Sequence, residues 1–124
     1  MAKVLVVDDD EVIVRLLELN FELEGHEVVS VLDGQQALDR IGELAPDVVL
    51  LDVMMPEVDG YRVCEVLRAD PATAALPIVF LSARAQEVDI VRGTEVGGDA
   101  YVTKPFEPLE LVELVERLVA ERRG

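Results

Sequence analysis

The chain has one cysteine, Cys64, so no disulfide can form within it, and a reducing cytoplasm is a compatible setting. Basic residues are scarce: 11 Lys and Arg stand against 26 Asp and Glu, for a formal net charge of −15. That balance argues against direct binding to nucleic acid, which needs clustered Lys and Arg, and disfavours docking on an anionic membrane. No apolar run approaches the length of a membrane span, and Met1-Ala2-Lys3-Val4 leads into a strand pattern with no signal-peptide character. Internal repeats, low-complexity runs and linkers are also missing. With 124 residues there is room for one core, so residues 1–124 read as a single domain. Hydrophobic residues make up 51% of the chain, which excludes a disordered acidic tail.

What is present centres on Val48-Val49-Leu50-Leu51-Asp52-Val53-Met54-Met55-Pro56. A continuous Val and Leu run bounded by turn residues predicts a strand buried on both faces. Asp52 then sits where that strand emerges into a loop. A carboxylate in such a place is costly unless something pairs with it, or it caps the next turn.

The rest of the chain repeats one alternation. Strands are predicted over 3–7, 27–32, 47–52, 78–81 and 99–103. Helices are predicted over 11–24, 35–44, 61–69, 86–95 and 108–122. In the first helix Val12, Ile13, Leu16 and Leu17 suit one face, and in the last Leu111, Val112, Val115, Leu118 and Val119 point inward. The fourth helix has a weak apolar face, and the basic end, Arg122-Arg123-Gly124, suits a helix C-terminus. Alternating strands and helices predict an α/β fold, a parallel sheet with helices on both faces.

In open parallel sheets, ligands collect at the carboxyl ends of the strands. The polar groups there are Asp8 and Asp9, Asp52, Ser82, Thr103 and Lys104, with Asp33 as a plain turn residue. Each has a modest reading alone: an acidic helix start, a helix cap, a surface lysine. Jointly they place three carboxylates on one edge if the first and third strands are neighbours. Such charges repel and titrate together, and a divalent cation relieves them. An all-oxygen carboxylate site suits Mg²⁺, which usually has a phosphate for company. A carboxylate can itself accept a phosphoryl group, with Lys104 and Ser82 as donors to its oxygens.

These residues carry a resemblance that spans nearly the whole chain. Val7-Asp8-Asp9-Asp10, Leu51-Asp52-Val53-Met54-Met55-Pro56, Asp59-Gly60, Leu81-Ser82-Ala83 and Tyr101-Val102-Thr103-Lys104-Pro105-Phe106 together resemble the receiver domain of two-component response regulators. The resemblance implies a doubly wound, flavodoxin-like five-stranded sheet of order 2-1-3-4-5. It implies that Asp52 takes a phosphoryl group from a sensor histidine kinase or phosphotransfer protein. Asp9, Asp52 and the Met54 backbone carbonyl would ligate Mg²⁺, with Asp8 acting through water. Ser82 and Lys104 would hold the phosphoryl group, and Tyr101 would turn inward when Ser82 moves. A cis bond before Pro105 is expected.

Two other chemistries fit less well. A phosphatase with an aspartyl-phosphate intermediate usually wants an acid two residues after the nucleophile, and Met54 stands there. A flavin protein would need phosphate-cradling amides after the first strand, where Asp8, Asp9 and Asp10 would repel the ligand. The third possibility is the same receiver cut from a longer regulator with a DNA-binding or enzymatic output. His26 and Cys64 are read as turn and packing residues. Receivers of winged-helix regulators pair through salt bridges on the fourth helix, fifth strand and last helix. This chain has Ile90, Ala100 and Leu114 where that pairing wants charges. A monomer that offers this face to a different protein is therefore expected.

Overall fold

The computed structural model describes residues 1–123, so Gly124 of the expected basic end lies outside the described residues. Ten elements alternate in the order β1 (Lys3–Val7), α1 (Glu11–Leu23), β2 (Glu27–Val31), α2 (Gly34–Leu44), β3 (Val48–Asp52), α3 (Gly60–Ala69), β4 (Ile78–Ser82), α4 (Glu87–Glu95), β5 (Ala100–Thr103) and α5 (Pro108–Arg123). Every strand pairing is parallel and the sheet order is β2-β1-β3-β4-β5. The expected architecture and strand order are both present.

β3 and β4 are buried at every position, as their unbroken apolar runs require. Their side chains alternate between two cores. Val49, Leu51, Ile78 and Phe80 face α2 and α3, whereas Val48, Leu50, Val79 and Leu81 face α1 and α5. Three helices start on a carboxylate. Asp10 accepts from the Val12 and Ile13 amides, Asp33 from Gln36 and Asp59 from Arg62. Asp33 is thus a helix cap, a role that is typically about 1 kcal/mol better than Ala.

The inward face of α1 differs from the expected one. Val14, Leu17 and Phe21 are buried, while Val12 is 76% exposed. Apolar residues lie all round this helix, so its periodicity does not choose a face. Phe21 and Leu17, both fully buried, do. His26 is in a turn as expected, but the turn is structural. Its Nδ1 accepts from the Ala2 amide at 3.0 Å and its Nε2 lies 2.8 Å from Glu116, tying the start of the chain to α5.

Arg68 performs a similar task on the other side. Its guanidinium donates to the carbonyls of Gly97, Ala74 and Leu76 and to the Asp99 carboxylate, which also accepts from the Ile78 amide. Cys64 is fully buried, as packing requires, and its thiol donates to the Val96 carbonyl at 3.3 Å. Burial pushes that thiol up to about 11.

Gly60 joins fold and site. Its amide donates to the Val53 carbonyl at 3.0 Å, and a Cβ there would run into the Asp52 carbonyl oxygen and lie 2.9 Å from the Val53 Cα. Both obstacles are backbone and cannot swing away. Gly60→Ala is therefore expected to destabilise the fold by about 1–3 kcal/mol, the usual range for overpacking. Urea denaturation of wild type and variant measures it, and equal midpoints would contradict the close approach.

Candidate functional site

Strand register assembles the site. Val7 pairs with Leu51, so the next residues, Asp8 and Asp52, emerge side by side. Asp52 pairs with Leu81 and Ser82 with Thr103, which steps Ser82 and then Lys104 outward along the same edge. The Lys104 amide donates to the Ser82 carbonyl at 2.8 Å, and the Lys104–Pro105 bond is cis, as expected.

Asp8 and Asp52 are buried and Asp9 is exposed, and one carboxylate oxygen from each lies within 4.8 Å of the others. The Lys104 ammonium sits 3.0 Å from Asp8 Oδ2 and 3.7 Å from Asp52 Oδ1. Lys104 is thus a bridge between two buried carboxylates. The Asp10 amide donates to Asp8 at 2.8 Å and the Met54 amide to Asp52 at 3.3 Å. Burial raises the Asp52 carboxyl to about 6; Asp8 adds to the rise and Lys104 opposes it, with Asp9 the smallest contributor. Of its two acidic neighbours, Asp8 therefore acts on Asp52 more strongly than Asp9.

The donor set fits a hard divalent cation. It is all oxygen, it carries more negative charge than Lys104 balances, and its buried carboxylate resists ionising without further positive charge. Asp8, Asp9 and Asp52 are brought together as the motifs require. Met54 stands at the rim and is 52% exposed.

Ser82 is fully buried, and its hydroxyl accepts from the Arg84 amide at 3.0 Å. It does not cap α4, whose cap residue Gln86 makes no side-chain bond. The Tyr101 hydroxyl donates to the Arg84 carbonyl at 2.9 Å, so Ser82 and Tyr101 hold the two sides of one residue.

Beside them lies a group that motif reading does not pick out. Tyr61, the second residue of α3, is fully buried and its hydroxyl donates to the Asp89 carbonyl in α4 at 3.0 Å. Its ring centroid is 5.4 Å from that of Phe80, and the Arg92 guanidinium stacks over it at 4.5 Å. Burial pushes the Tyr61 hydroxyl far up, with the Tyr101 hydroxyl beside it adding to the shift. The sequence does hold a signal: a tyrosine on the inward stripe of a helix must find an acceptor for its hydroxyl.

Comparison with known proteins agrees with this geometry. Residues 4–116 match the family model described as the response regulator receiver domain. The DNA-binding response regulator MtrA of Mycolicibacterium smegmatis is 48% identical over 113 residues, covering 91% of this chain and 48% of that protein. The alkaline phosphatase synthesis transcriptional regulatory protein PhoP of Bacillus subtilis is 44% identical over 117 residues, covering 94% and 48%. The chain thus spans about half the length of these relatives. Among solved structures, the Francisella response regulator 1452 receiver domain superposes with a TM-score of 0.91 at 35% identity, covering 98% of each chain. The BeF3-activated DrrB receiver domain gives 0.84 at 35% identity, covering 97% of this chain and 98% of that one.

The raised Asp52 carboxyl has a consequence for stability. An Asp titrating near 6 when folded and near 3.8 otherwise binds its proton more tightly in the native state, so its ionisation costs stability as pH rises through that window. Asp52→Asn removes the charge. Without divalent cations the variant is expected to be more stable than wild type at pH 7.5 by about 1–2 kcal/mol, less than the full shift because water screens the mouth of the site. The difference should shrink to nothing as pH falls below about 4. Thermal melts in EDTA across that range measure it, and a variant less stable than wild type at pH 7.5 would contradict the assignment.

Proposed function

The chain belongs to the response regulator receiver family, and from that premise we propose that it is a phosphorylation-operated switch with Asp52 as phosphoacceptor. One observation carries the reading: a buried carboxylate with a raised pKa lies at a strand end, 3.7 Å from a lysine and beside two further carboxylates. The donor is a phosphohistidine on a sensor histidine kinase or phosphotransfer protein. An Asp52 oxygen bonds to phosphorus as the phosphorus–nitrogen bond breaks, and the departing imidazole keeps the electron pair. Lys104, already held between Asp8 and Asp52, favours the ionised nucleophile and meets the negative charge of the incoming group.

Asp9, Asp52 and the Met54 carbonyl would hold Mg²⁺, with Asp8 acting through water. Bound there, the ion would supply neutralisation of the phosphoryl oxygens and of the carboxylate cluster. Ser82 offers its hydroxyl proton to the phosphoryl group. Its shift would pull on the Arg84 amide, and through the Arg84 carbonyl on Tyr101, altering the α4/β5/α5 face. The protein promotes its own phosphorylation and dephosphorylation but converts no other substrate.

That face supports a heterologous protein partner. Val88, Ile90 and Val91 are exposed on α4, and a groove between β5 and α5 is lined by Tyr101, Phe106, Leu114, Glu107 and Glu110. A second reading, that this receiver governs a DNA-binding output in a longer chain, is favoured by the relatives of about twice its length. The mass of the full gene product separates the two. No helix among the described residues is long and apolar enough to cross a membrane; the cytoplasmic setting proposed for the switch rests on the family.

Incubated with Mg²⁺ and a small acyl phosphate, the protein should gain one phosphoryl mass and Asp52→Asn should gain none. Intact-mass spectrometry reads the result, and equal labelling of the two would sink the proposal. Light scattering with and without a stable phosphoryl mimic should show a monomer in both states. A mimic-dependent dimer that dissociates in high salt and is lost in Glu95→Ala would show instead that the salt-bridged pairing is intact.

A further inference from the structure

Two routes lead from the phosphoacceptor to α4. One is the Ser82–Arg84–Tyr101 chain described above. The other runs through the backbone after Asp52. Gly60 is pressed against the Asp52 carbonyl and bonded to Val53, so the first turn of α3 is fixed to the phosphoacceptor strand. Tyr61 follows at once. Its hydroxyl reaches the Asp89 carbonyl, 28 residues away in sequence, within the first turn of α4. Arg92, from the next turn of α4, closes over the outer face of the same ring.

We propose that Tyr61 is a positioning residue that holds the start of α4 in its resting place, in parallel with Tyr101, and so sets how readily Asp52 is phosphorylated. The proposal rests on the reading of Asp52 as phosphoacceptor. Three features support it. α4 has little else to hold it there: Gly93 is its single buried residue, and its cap residue makes no side-chain bond. Both tyrosines pack against Phe80, at 5.4 and 6.0 Å between centroids, with their hydroxyls close together, and they hold neighbouring pieces of the chain, Arg84 in the loop and Asp89 in the helix. Asp89 is also the ion-pair partner of Arg84, 3.8 Å away, so both ties converge on one segment. For Ser82 to turn toward a phosphoryl group, that segment must give. A hydrogen bond that opposes the movement raises the free energy of the reactive arrangement, and its loss lowers it.

The test is the rate at which a small acyl phosphate with Mg²⁺ labels Asp52 in wild type, Tyr61→Phe and Arg92→Met. Tyr61→Phe removes one oxygen and keeps the packed ring, so the fold is retained. One neutral hydrogen bond is worth a factor of about 2–10 in such an equilibrium. Tyr61→Phe is therefore expected to label about 2–10-fold faster than wild type, and Arg92→Met faster by a smaller factor. A residue that served packing alone would lower the melting temperature and leave the labelling rate where it was. An unchanged or slower rate in Tyr61→Phe overturns the proposal. Failure of the underlying reading would look different, because wild type itself would not label. In that event hydrogen exchange of the α4 amides in unphosphorylated protein decides: exchange about 2–10-fold faster in Tyr61→Phe, confined to α4, supports the tie, and unchanged exchange overturns it.

Discussion

Everything at the functional edge depends on Lys104 standing between Asp8 and Asp52. Two buried carboxylates that close are unfavourable, and the ammonium at 3.0 and 3.7 Å keeps the arrangement from opening. The compensation is incomplete, which is what a switch needs. A fully neutralised site would have no use for a cation or a phosphoryl group. A site without the lysine would protonate or splay apart. The sheet supplies the geometry for this balance, because in-register parallel strands deliver one residue each to the same edge.

The α4 side of the molecule is built differently. β3 and β4 are buried throughout, whereas α4 exposes three large apolar side chains and is held by a few directional contacts. Strength is thus concentrated in the strands and helices that carry the carboxylates. α4, the element that the proposed switch would move, is held by fewer contacts, as regulatory elements generally are.

Much of this was legible in the chain itself. The run Val48 to Leu51 ending in Asp52 marks a buried strand with a carboxylate at its exit, and the same logic recovers Asp8, Ser82 and Lys104. The motifs identify the family, and the comparisons agree. What the pattern could not supply were choices made by packing. Val12 and Leu17 are equally apolar, yet one faces water and the other the core, because Phe21 decides how α1 turns. His26 looks like a turn residue until the start of the chain and α5 close around it. Tyr61 meets Asp89 only because α3 and α4 flank Phe80, a relation without any sequence period.

The stitching by Arg68 has a mechanical meaning. Its bond to the Gly97 carbonyl, the thiol of Cys64 on Val96, and Gly98 packed under Phe80 fix the far end of α4, where the chain turns into β5. With that end tied down, any tilt of α4 would pivot near its C-terminus. Its nine residues make an arm of about 13 Å. A swing of only about 10° carries its first turn through about 2 Å, on the scale of known helix shifts in switching proteins, while leaving the hinge in place. A displacement passed to the start of α4 would thus appear as motion at the rim of its face, about a pivot near the contacts of Arg68.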